Sequence, residues 1–135
     1  MQANAPLADM SLGRLSTWAE GQAQGLAANF GLDLDTQEGN DYFALAQTVK
    51  LGEEVGELHA EVLGALRYHR SEKAGQYGTD TLGGELADVM VCLALLAQIL
   101  NVNLTDAVRT KIEHLEARNR SIALRPSGVG HDKIP

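Results

Sequence analysis

The sequence predicts an all-α fold, a bundle of four to five helices, and three observations carry that expectation. Its apolar residues, 44% of 135, are mostly Leu, Ala and Val, and Leu and Ala are strong helix formers. They recur at three- and four-residue steps along most of the chain, which is the period of a helix face. Aromatic residues are few, one Trp, three Tyr and two Phe, so the helices meet through aliphatic side chains.

The first helix is expected over about 11 to 29, where Leu12, Leu15, Trp18, Ala19, Leu26 and Phe30 follow helical steps and Ser11 can cap the N-terminus. Trp18 and Phe30 fit its apolar stripe and are read as core. Gly31 suits the left-handed position that ends a helix, and the polar run 33–40 reads as a loop. From Asp41 as cap, the positions Leu45, Val49, Val55, Leu58, Val62 and Leu66 carry a long second helix to about Arg70. Residues 71–81, rich in Gly, Ser and Thr, form a connector or mobile flap. The third helix, Leu82 to Leu100, is apolar on more than one face, so other helices should surround it, and Asn101 can end it. Asn103 or Thr105 caps a fourth helix, with Val108, Ile112 and Leu115 on one stripe, to about Arg120. The length gives one domain, 1–120, and an irregular tail, 121–135.

Charge and composition exclude several functions. Lys plus Arg total 11 against 18 Asp plus Glu, a net charge of −7, and no basic run is present, so nucleic acid is not an expected partner. The longest apolar stretch, Met90 to Leu100, falls short of the roughly 20 residues that cross a bilayer. No secretory signal is visible in the first ten residues, and Cys92, the only cysteine, can form no intrachain disulfide. A soluble, cytoplasmic protein without a membrane partner is expected.

The acids point to chemistry. In the second helix Glu54 and Glu57 stand three apart, Glu53 and Glu57 four apart, and Glu61 extends the column by a turn. Like charges at these spacings destabilise a helix by about 0.2–0.5 kcal/mol per pair, and Lys50 alone offers relief, toward Glu54. Glu85 and Asp88 repeat the three-residue spacing in the third helix, among Leu82, Leu86, Val89 and Met90. If the two helices pack antiparallel, as their short connection favours, the acid pairs face each other and suit a hard divalent cation such as Mg²⁺. Charged, solvated helix faces are the bland alternative. No Glu-x-x-His segment occurs, which sets aside a di-iron bundle, and His59, His69, His114 and His131 lie at unrelated positions.

Glu54-x-x-Glu57, 27 intervening residues, then Glu85-x-x-Asp88 resembles the ExxE…ExxD signature of the all-α nucleoside triphosphate pyrophosphohydrolases. The run Glu53-Glu54-Val55-Gly56-Glu57-Leu58 is similar to the EEVGEL segment of MazG-like members. The likeness covers roughly residues 42 to 120. It implies a helical bundle assembled as a homodimer or homotetramer, and Mg²⁺-dependent hydrolysis of a nucleoside triphosphate to monophosphate and pyrophosphate, with Mn²⁺ as a possible substitute. By matching positions, Glu54, Glu57, Glu85 and Asp88 become metal ligands, with Glu53 as the extra acid and candidate general base. Lys50, Lys111 and Arg118 are candidates to hold phosphates. Trp18, Phe30, Tyr42 or Tyr77 could stack on a base, though the first two fit the core better. House-cleaning of the nucleotide pool is the expected role. Two rivals remain: phosphoribosyl-ATP pyrophosphohydrolase, whose family begins with a similar Lys-x-Gly-Glu-Glu, and a non-catalytic helical dimer whose acids bind a basic partner.

Overall fold

The computed structural model describes residues 9–66 and 79–124. The fold is all-α: four helices, α1 (Leu12–Asn29), α2 (Gln37–Ala65), α3 (Thr79–Ile99) and α4 (Leu104–Ala123), and no strand among the described residues. The chain divides into two units, Met1–Leu104 and Thr105–Pro135.

In the first unit α3 packs against both α1 and α2. Phe43 of α2 clusters with Ile99 of α3, while Glu54 of α2 approaches Glu85 and Asp88, so α2 and α3 run antiparallel. Ala19 of α1 meets Ala94 and Leu95, and Ala23 and Ala27 meet Ile99 further along, so α1 runs parallel to α3. These three alanines sit four apart and are buried; with only a methyl group at each step, the two backbones approach closely. The larger residues of α1 flank that seam. Trp18 and Phe30 are therefore not core residues, as their periodicity suggests, but are 44% and 68% exposed.

The ends of the helices follow local chemistry. Ser11 accepts a hydrogen bond from the Arg14 amide at 3.2 Å and caps α1. Gly31, with φ 69°, ends it; its N–H bonds to Ala28 O and that of Leu32 to Ala27 O, while Leu32 packs on the Ala27 cluster. Asn101, with φ 54°, ends α3 in the same way, through Asn101 N–H to Gln98 O and Val102 N–H to Ala97 O.

The start of α2 differs from the sequence expectation. Thr36, not Asp41, is the N-cap: its hydroxyl accepts from the Gly39 amide at 3.1 Å and donates to Asp33 O at 2.8 Å. The polar turn 37–40 is helical because this capping network organises it. Gly39 is required there, since a Cβ would lie 2.0 Å from the Asp33 carbonyl oxygen. Gly39→Ala should cost about 1–3 kcal/mol by overpacking, whereas Gly25→Ala, whose Cβ would meet nothing within 4 Å, should gain about 0.5–1 kcal/mol from helix propensity. Thermal melts of the two variants should shift in opposite directions.

α2 ends at Ala65 with Leu66 as its C-cap, short of the expected Arg70, and α3 starts at Thr79, earlier than Leu82, so 79–81 are helical rather than connector; 67–78 lie outside the described residues. As a helix, Asp80–Ile99 is long and apolar enough to cross a bilayer by length and composition, which the uninterrupted apolar run understates. Glu85 and Asp88 within it weigh against a lipid setting, because an acid at a bilayer centre costs about 2.5–3.5 kcal/mol on insertion scales; α1 and α2 cover only part of its apolar surface, and Leu86, Met90 and Leu93 are exposed.

In the second unit α4 has no buried residue. Val108, Ile112, Leu115 and Ile122 form an exposed apolar stripe, and Arg109 pairs with Asp106 on the opposite sign of charge one turn earlier. The helix continues to Ala123, three residues into the expected tail; 125–135 lie outside the described residues.

Candidate metal centre

One face of α2 carries, at steps of three and four, Phe43, Gln47, Lys50, Glu54, Glu57 and Glu61. It passes from the apolar core into a column of acids. Glu54 is buried, and Lys50 neutralises it: Nζ lies 2.6 Å from Glu54 Oε1 and 3.3 Å from Glu53 Oε2. These hydrogen bonds, to Glu54 first and then Glu53, hold the Lys50 ammonium protonated well above the usual lysine range.

Across from this face, α3 presents Glu85 and Asp88. One carboxylate oxygen from each of Glu54, Glu85 and Asp88 lies within 4.8 Å of the other two. Three oxygen donors from two helices form the type of donor set that Mg²⁺ or Mn²⁺ takes. Glu85 Oε2 is buried with no hydrogen-bond partner, which is uncommon for a carboxylate and suits a cation. Burial pushes the Glu85 pKa up, and the charges of Glu57, Asp88, Glu54 and Glu61 push it further. The residues thus fit a divalent ion.

The other expected site residues divide into three groups. Glu57 is exposed and stands outside the three-oxygen cluster, though its charge acts on Glu85. Glu53 is exposed and tied to Lys50. Lys111 and Arg118 are both exposed on α4, in the second unit, seven residues apart and so on one side of that helix. Sequence reasoning left Glu61 outside the site, yet its Oε2 is buried without a partner and its charge reaches Glu85. Its position one turn beyond Glu57 is the signal that could have included it. His59 and His114 are exposed, and His69 and His131 fall outside the described residues.

A cleft of 680 Å³ adjoins the acids. Trp18 and Leu26 of α1, Phe30 at the α1 C-cap and Val91 and Leu95 of α3 supply apolar wall; Lys50, Glu53, Glu54 and Asp88 supply charge. Gln47 and Cys92 also line it. Burial raises the Cys92 thiol pKa, which keeps it a neutral wall group rather than a nucleophile. Tyr42 is exposed on α2 but does not line the cleft, and Tyr77 lies outside the described residues.

Compared with known protein families, curated proteins and solved structures, the chain matches none.

The raised pKa of Glu85 gives a pH dependence whose sign is fixed. A carboxyl that binds its proton more tightly in the folded state favours folding below its ordinary value of 4.5, and that contribution is lost as pH rises through the folded value. In EDTA, Tm should therefore fall as pH rises above about 4.5 through the raised folded value of Glu85, and Glu85→Gln should flatten the fall. Excess Mg²⁺ or Mn²⁺ should restore Tm at the neutral end, because metal binds the deprotonated carboxylates. A profile that is the same in wild type and Glu85→Gln contradicts this account of the site.

Proposed function

We propose that the chain is a Mg²⁺-dependent nucleoside triphosphate pyrophosphohydrolase, converting a (deoxy)nucleoside triphosphate to the monophosphate and pyrophosphate. The observation that carries the reading is the meeting of Glu54, Glu85 and Asp88 oxygens within 4.8 Å at the edge of an aromatic-walled cleft, in the positions where the sequence resembles the pyrophosphohydrolase signature. Glu54, Glu85 and Asp88, with Glu57 beside them, would hold the ion. When bound, Mg²⁺ neutralises phosphate charge and lowers the pKa of water.

The chain's own groups take the remaining tasks. Glu53, exposed at the cleft edge and 3.3 Å from Lys50, accepts a proton from the attacking water as general base. Lys50 lines the cleft beside Glu53, Glu54 and Asp88, where its permanent charge meets the phosphate chain of the substrate. The apolar cleft takes the nucleoside half and excludes water from one side of it. The cytoplasm, where the nucleotide pool resides, is the setting for such house-cleaning.

We also propose that the active form is a homodimer or homotetramer of the all-α pyrophosphohydrolase type. Leu86, Met90 and Leu93 of α3, Leu45, Val62 and Leu63 of α2 and Leu66 at the α2 C-cap are exposed, more apolar surface than a monomer of this size usually leaves open. Light scattering at micromolar concentration should give a multiple of 14.5 kDa; a fully active monomer contradicts the assembly.

The reaction is tested by offering standard and modified nucleoside triphosphates and phosphoribosyl-ATP, each with Mg²⁺ or Mn²⁺, and scoring pyrophosphate release. Release from a nucleoside triphosphate in preference to phosphoribosyl-ATP supports the reading. Release from phosphoribosyl-ATP alone replaces the substrate, and no release from any of them overturns the enzyme.

A further inference from the structure

One wall group of the cleft has no task in that chemistry. Gln47 is only 8% exposed and lines the cleft, yet its carboxamide has no hydrogen-bond partner among the described residues. The other buried polar side chain, Glu54, is paired with Lys50. Among the described residues the side-chain polar atoms buried without a partner are Glu61 Oε2 and Glu85 Oε2, so the carboxamide is the part of Gln47 that reaches solvent, in the cleft that a ligand would fill. Gln47 stands seven residues before Glu54 on the same face of α2, about 10 Å along the helix. That spacing separates the base edge of a nucleotide from its phosphate chain.

We propose that Gln47 is the specificity-determining residue of the cleft, where its carboxamide pairs with the hydrogen-bonding edge of a nucleobase lying against Trp18 and Phe30. The choice of a nucleotide rests on the proposed function; the need for a planar ligand with polar edge atoms rests on the cleft itself. An aliphatic ligand would satisfy the walls but leave the carboxamide unpaired. A heterocycle satisfies both: its faces meet the aromatic side chains, and an adjacent donor and acceptor on its edge match the amide N–H and C=O. Because half a turn of the amide exchanges donor and acceptor, Gln47 admits either order of the two and rejects an edge that offers only acceptors or only donors.

Trp18 is the only tryptophan of the chain, so its fluorescence reports on the cleft. The full chain is titrated with adenosine, cytidine, guanosine and uridine, with ribose as control and without metal, as wild type, Gln47→Met and Gln47→Glu. Met is nearly isosteric with Gln and keeps the packing, and melting curves confirm the fold of both variants. Nucleosides should quench Trp18 while ribose does not. Gln47→Met should weaken each of the four nucleosides by about tenfold, the scale of one hydrogen bond, because every base carries an adjacent donor and acceptor that the carboxamide can meet. Gln47→Glu should move the preference toward guanosine, whose N1–H and N2–H both donate to a carboxylate. Unchanged nucleoside affinities in Gln47→Met, or a wild type whose Trp18 ignores every nucleoside, overturn the proposal. The titration contains neither phosphate nor metal. Gln47-dependent nucleoside binding without pyrophosphate release therefore removes only the proposed reaction, whereas pyrophosphate release with nucleoside affinities unchanged in Gln47→Met removes only the role of Gln47.

Discussion

Glu85→Gln and Asp88→Asn should each lower affinity for Mg²⁺ and Mn²⁺ by about 100-fold or more and remove turnover with it. Loss of an outer partner of a metal ligand already costs about 10–100-fold, and these residues each contribute one of the three clustered oxygens. Glu54→Gln should act in the same direction but also release Lys50 from its 2.6 Å ion pair, so its effect on stability is mixed. Glu57→Gln, outside the cluster, should weaken metal less than the other three. Without metal, Glu85→Gln should melt higher than wild type, because it removes a carboxylate that faces four others. Calorimetric titration beside melting curves checks both parts. Unchanged metal affinity in Asp88→Asn and Glu85→Gln would sink the metal centre.

Glu53→Gln should cut turnover by about 10²-fold or more while leaving metal affinity within severalfold of wild type, the split expected of a general base beside the ligands. Its carboxylate touches Lys50 at 3.3 Å but contributes no oxygen to the cluster. Turnover near wild type would make Glu53 an exposed partner of Lys50 and nothing more.

Much of this was legible in the sequence, and the rest was not for identifiable reasons. The class of fold follows from three- and four-residue periodicity, and the helix ends at Ser11, Gly31 and Asn101 follow from side chains with strong terminal preferences. The first turn of α2 escaped because Gln37–Asn40 is polar and contains Gly39; its helix depends on Thr36 and on Asp33, outside the periodic run. The misreading of Trp18 and Phe30 has a similar origin. Periodicity identifies an apolar face but not which of its residues lie on the seam, and α1 uses its alanines there and leaves the large side chains to wall a cleft. The acid pairs were visible as spacings. Which oxygens converge was not, since the rotation of α2 against α3 selects Glu54 over Glu57. Gln47 reads in sequence as one polar residue in a long helix; only its burial beside the cleft singles it out.

The central claim, attack of water on the α-phosphorus with pyrophosphate as leaving group, is tested most directly by turnover of a good substrate in ¹⁸O-labelled water. The account predicts one ¹⁸O in the nucleoside monophosphate and none in the pyrophosphate, formed together from the first turnover. Label in pyrophosphate or in released orthophosphate, or a nucleoside diphosphate that rises before the monophosphate, would contradict it.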